Sequence, residues 1–102
     1  MEKFFEERIA GCQKRKAELL ADSRADEAVF EQVRSNVYGI FQTIWNTRRG
    51  NRFFQEKLTE IPLNWHNAAI KAKEFGNAEA ELLEMIKLET VGEIRRALEE
   101  HV

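Results

Sequence analysis

Apolar residues recur at steps of three and four from Phe5 to Leu98, and little interrupts them: the chain has one proline and five glycines in 102 residues. This spacing places the apolar side chains on one face of a helix with 3.6 residues per turn. A chain patterned this way has to fold as long helices, and those helices must bury their stripes against one another.

In residues 2–21 the stripe is Phe5, Ile9, Cys12 and Leu19, with Ala17 and Leu20 beside it and Lys16 interrupting it. Gly11 weakens this helix by about 1 kcal/mol against alanine, which suggests a close helix contact at that point. "ADSRADEAVF" reads as a stop and a restart, with Asp22 or Ser23 as the cap and Asp26 and Glu27 in the first turn. Phe30, Val33, Val37, Ile40 and Ile44 follow, and a second strip, Tyr38, Phe41 and Trp45, lies beside them. Gly50 is expected in the left-handed position that closes this helix, and Asn51 at the cap of the next.

Phe54, Leu58, Ile61, Trp65, Ala68, Ala72 and Phe75 keep one register through Pro62, so residues 52–75 read as one helix kinked at that proline. Proline lacks the N–H that would bond the Leu58 carbonyl. Gly76 and Asn77 end this helix and cap the last, whose inner face carries Leu82, Leu83, Met85, Ile86, Ile94, Ala97 and Leu98. Thr90 and Glu93 have capping-box spacing around the weak point Gly92. The expectation is an all-α, antiparallel up-down-up-down four-helix bundle, one domain spanning residues 1–102. The alternative is five or six shorter helices with breaks at Pro62 and Gly92.

The formal charge is −2, with 16 basic and 18 acidic side chains, so no general field draws the chain to nucleic acid or anionic membrane. Residues 77–102 hold three basic side chains against seven glutamates, which predicts an acidic last helix beside more basic neighbours. A single cysteine, Cys12, cannot form an internal disulfide and fits a reducing compartment. No apolar run approaches the roughly 18 residues of a membrane span, and the acidic start "MEKFFEERIAG" is unlike a signal peptide. A cytoplasmic location is expected.

Chemistry is sparse. One cysteine and two histidines, His66 and His101, give no zinc spacing, and neither histidine has a glutamate three residues before it, as a di-iron bundle requires. Neither a metal nor another cofactor is expected. Cys12 lies on a buried stripe, Ser23 and Ser35 are the only serines, and no glycine-rich phosphate loop is present. In "HNAAIKAKEFG", Phe75 and Gly76 follow His66 at +9 and +10. This helix end resembles that of histidine phosphotransfer domains, whose exposed helical histidine is followed by lysine at +3 and glycine at +4. The present chain has Ala69 and Ile70 at those places, and its nearest lysine, Lys71, comes one position later. The resemblance implies, as an alternative function, a signalling bundle phosphorylated on His66.

Two further features remain. "IWNTRRGNRFF" sets Arg48, Arg49 and Arg52 around a helix–helix corner. Cationic side chains favour the carbonyl end of a helix by about 0.3–1 kcal/mol each, so a structural corner is the simpler reading. Weak anion or nucleic-acid contact through these arginines is the rival, and nucleic acid is an unlikely partner given the small positive field. Tyr38, Phe41 and Trp45 are either a second core stripe or a contact surface. The functional expectation is a non-catalytic helical bundle that binds a protein partner or itself, as a homodimer, through that strip.

Overall fold

The computed structural model describes residues 1–100. Four helices account for nearly all of them: α1 (Glu2–Ala21), α2 (Ala25–Asn46), α3 (Asn51–Glu74) and α4 (Ala78–Glu100). Connections of three or four residues force each helix to run antiparallel to the one before it, giving the up-down-up-down bundle. α1 packs on α2 and α3 on α4, so the bundle is two helical hairpins. The hairpins meet mainly through α2 and α4, which run parallel, and much less through α2 and α3. The molecule extends 39 × 34 × 21 Å, two dimensions near the length of a 20–24-residue helix and the third about two helix layers thick. This is the outline of two hairpins set at an angle to each other.

The core is concentrated at one end. It joins Phe5 at the start of α1, Val37, Tyr38 and Phe41 late in α2, Phe54 and Leu58 early in α3, and Val91, Ile94 and Leu98 late in α4. Edge-to-face aromatic pairs link the helices there: Phe41 with Phe54 at 6.0 Å between centroids, Phe5 with Phe54 at 6.2 Å and Phe41 with Trp65 at 6.5 Å. Such pairs add about 0.5–1.5 kcal/mol each beyond the area they bury.

α3 is one helix through Pro62 and α4 one helix through Gly92, so the chain does not divide into five or six shorter helices. The Leu58 carbonyl that Pro62 leaves without an N–H accepts a 2.7 Å hydrogen bond from Arg95 Nη2 of α4. Thr90 does not open a helix: it is buried within α4, and its hydroxyl donates to the Ile86 carbonyl at 2.8 Å.

The local structure differs from expectation in three places, two of them in turns and one within α1. Neither Asp22 nor Ser23 caps α2; Arg24 holds the cap position without a side-chain bond, and Ser23 takes the left-handed conformation at φ 60°. The Arg24 and Ser23 amides bond the Leu19 and Leu20 carbonyls, which satisfies the end of α1 in a Schellman arrangement. After α2 the left-handed residue is Arg48 (φ 55°), not Gly50, which instead precedes α3 at φ 91° and ψ 166°. Gly11 faces no neighbouring helix; a Cβ there would meet only the Arg15 side chain of its own helix, at 3.4 Å. Gly76 and Asn77 do close α3 and cap α4, with Asn77 Oδ1 accepting from the Ala80 amide at 3.1 Å.

Candidate functional site

Tyr38 and Phe41 are 4% and 0% exposed, and Trp45 is partly buried against the Phe54 ring at 5.2 Å. This strip is part of the core and is not a surface the bundle can offer to a partner. The physical reason is that α2 is covered on two sides, by α1 and by the second hairpin, so the Tyr38, Phe41 and Trp45 strip is consumed internally, while Ile40 of the neighbouring strip stays exposed.

The three corner arginines all find partners within the chain. Arg48 pairs with Glu2 at 3.4 Å, Arg52 pairs with Glu56 at 3.5 Å, and the Arg49 guanidinium lies 4.0 Å above the Phe53 ring. Phe53 is the outer member of its aromatic pair, also approached by Lys57 at 5.3 Å, while Phe54 points inward. A cavity of about 200 Å³ opens at this corner, with Ile44, Trp45 and Phe54 as its floor and Glu2, Arg48 and Arg49 at its rim. The arrangement brings two of the three arginines to one opening, but a carboxylate already shares it.

His66 is exposed on α3. Leu63 and Ile70, both exposed, lie one turn before and one turn after it. Lys71, five positions on, lies about 140° around the helix from His66, so its amine is not on the histidine's face.

The largest apolar exposure is on the second hairpin. Leu63, Ile70 and Phe75 of α3 and its end, and Leu82 and Met85 of α4, are all exposed, Phe75 to 84%. Leu63 and Ile70 are seven residues apart and share a face of α3; Leu82 and Met85 are three apart and share a face of α4. Sequence periodicity missed this surface because Leu82, Met85 and Phe75 fall in register with core positions.

A polar cleft of about 250 Å³ separates the hairpins where α1, α2 and α4 meet. At its base Glu31 accepts hydrogen bonds at Oε1 from Arg34 Nη1 (2.9 Å) and Arg15 Nε (3.3 Å). Arg15 Nη2 also lies 3.7 Å from Cys12 Sγ, and Arg8 bridges from α1 to Glu93 of α4 at 3.0 Å. Burial, and after it the negative charge of Glu31, push the Cys12 thiol above its ordinary value, and burial does the same for the Tyr38 phenol. Both groups stay protonated at neutral pH, so Cys12 is no nucleophile here. Of the cleft residues only Cys12, Tyr38, Thr90 and Glu93 stand out in sequence, the last two for a capping role that the structure does not use, because isolated charges on three helices reveal nothing until the helices are placed.

Among the described residues no group of three or more His, Cys, Asp or Glu side chains is placed to hold a metal ion, and no helix is long and apolar enough to cross a membrane. No protein-family model, curated protein or solved structure matches this chain.

Proposed function

We propose that this chain is a non-catalytic helical bundle that works by protein contact, foremost by self-association into a homodimer. The observation that carries the reading is the set of five large apolar side chains exposed on the second hairpin: Leu63, Ile70, Phe75, Leu82 and Met85. Exposed apolar residues scattered singly are ordinary, and the first hairpin also exposes Leu20, Val29 and Ile40, but the second exposes five large apolar side chains, Phe75 most of all, and this supports it as the contact surface. The chemistry of the chain agrees with a binding role. Cys12 is buried, and the Ser35 hydroxyl is occupied by a 2.9 Å hydrogen bond from Gln13 Nε2. Two-fold assemblies are the commonest outcome for a patch of this kind, since one surface serves both copies.

Light scattering after size exclusion, across a range of concentrations, tests this. The expected result is a dimer that dissociates on dilution, and a Leu63→Glu, Ile70→Lys double variant that stays monomeric and folded. A chain that remains a monomer at every concentration removes self-association, and the contact surface then belongs to a different protein.

A further inference from the structure

The helical apolar exposure of the second hairpin falls on two separate faces. At about 100° per residue, Leu63 and Ile70 lie roughly 160° and 140° around α3 from Trp65, which packs on the core. Their strip is the outer face of α3, turned away from the other helices. Leu82 and Met85 lie roughly 120° and 180° around α4 from the buried Ile94. The charges beside these two faces differ. Glu81 and Glu89 flank Leu82 and Met85. The one cation within residues 78–89 is Lys87, held 5.7 Å from the Trp65 ring centroid and 3.0 Å from Glu84. Two copies meeting through this α4 face would gather Glu81 and Glu89 of both, a like-charge contact that opposes association.

The α3 strip carries both signs. Glu60 stands before Leu63 and Lys71 after Ile70, both exposed and on the same flank, about 20° apart around the helix. Lys71 has no ion-pair partner among the described residues. Glu60 has only Lys57 of its own helix, at 3.0 Å, and a surface pair of this kind holds it weakly. A two-fold axis across α3 between His66 and Asn67 sets Leu63 of each copy against Ile70 of the other. In that antiparallel arrangement the same flank of both helices comes face to face. Glu60 of each copy then meets Lys71 of the other, within about 3 Å along the helix axis. A parallel arrangement would oppose Glu60 to Glu60 and Lys71 to Lys71. We infer that the homodimer forms by antiparallel contact of α3 with α3 of a second copy, with Leu63 and Ile70 at its centre and two Glu60–Lys71 pairs across it. This rests on the self-association proposed above and names its surface and its register; one patch serves both copies, as a two-fold contact requires.

The test measures the dimer Kd by light scattering over a dilution series, at low salt, for the full chain and three charge variants. Glu60→Lys and Lys71→Glu each turn both attractive pairs into repulsive ones and weaken the dimer about fivefold or more. The double variant Glu60→Lys, Lys71→Glu restores opposite charges and returns the Kd to within about twofold of the unaltered chain. A short bismaleimide gives a second readout: Asn67→Cys, beside the two-fold axis, joins two copies, and Met85→Cys does not. The native Cys12 is buried and leaves the reagent to the introduced thiol. A dimer whose Kd ignores the single charge reversals, or is not restored by the double one, overturns this contact and leaves self-association standing. So does a dimer that Met85→Cys joins as readily as Asn67→Cys. A chain that is monomeric at every concentration overturns both.

Discussion

Phe54 and Phe75 occupy the same inner register of α3, yet one is 1% exposed and the other 84%. Phe54 lies at the end where the hairpins meet, and its ring touches Phe5 of α1, Phe41 and Trp45 of α2. Phe75 ends α3 at the far tip of its hairpin, where α4 is the principal neighbour. The inner face of α3 changes along the way: beyond Trp65 it carries Ala68, Ala69 and Ala72 in place of large side chains. Alanine lets two helices approach closely but buries little area, so the far tip gains little from the hydrophobic effect. A helical stripe thus has a direction but no fixed depth; the depth comes from how many other helices reach it.

The largest expected effect breaks the core side of this contrast. Phe54→Ala should cost about 3–5 kcal/mol in urea unfolding, since it removes a ring packed against aromatic rings of two other helices. Phe75→Ala should cost about 0.5 kcal/mol or less. A Phe75→Ala cost above roughly 1.5 kcal/mol would mean that the tip is covered in solution, and the contrast between the two ends would belong to the monomer only.

Element boundaries and pairing order were legible in the sequence because Gly76-Asn77 and the 3/4 spacing are local signals. The register through Pro62 correctly implied a single helix, since proline removes one bond without changing the angular position of later residues. The capping roles were less legible: Ser23 is a good cap by type but serves as the left-handed residue closing α1. The contact strip Tyr38, Phe41 and Trp45 misled because amphipathic width alone cannot say whether a second helix or a partner protein covers it. The cleft around Glu31 was invisible, as its residues sit on α1, α2 and α4 at positions that individually look like solvated charges.

An intermediate effect concerns the bond that ties the hairpin's two helices at the core end. Arg95 Nη2 donates to the Leu58 carbonyl, which has no helical partner because of Pro62. Arg95→Met keeps much of the stem but removes the donor, and should cost about 1–3 kcal/mol as that partly buried carbonyl goes unsatisfied. In a Pro62→Ala background the new amide at position 62 can bond Leu58, so the same Arg95→Met change should cost about 1 kcal/mol or less. A double-mutant cycle by urea unfolding measures this coupling, and a coupling near zero would show that Arg95 acts through packing of its stem, not through the hydrogen bond.

The smallest effect sharpens the comparison at the two hairpin turns, which share one geometry. Ser23 (φ 60°) and Gly76 (φ 69°) are both left-handed and both followed by an amide that bonds back to the third-last helical carbonyl. A residue with a Cβ pays roughly 1–2 kcal/mol for that conformation, whereas glycine loses about 0.5–1 kcal/mol more on folding through its freer unfolded chain. The difference predicts that Ser23→Gly stabilises the protein by about 0.5 kcal/mol and that Gly76→Ser destabilises it by a similar amount. Both shifts should appear as changes in urea midpoint with the slope unchanged, because neither substitution alters the surface exposed on unfolding. If Gly76→Ser is instead much the costlier, the α3–α4 turn is held more rigidly than the α1–α2 turn, and the far tip of the second hairpin is better ordered than its thin alanine face implies.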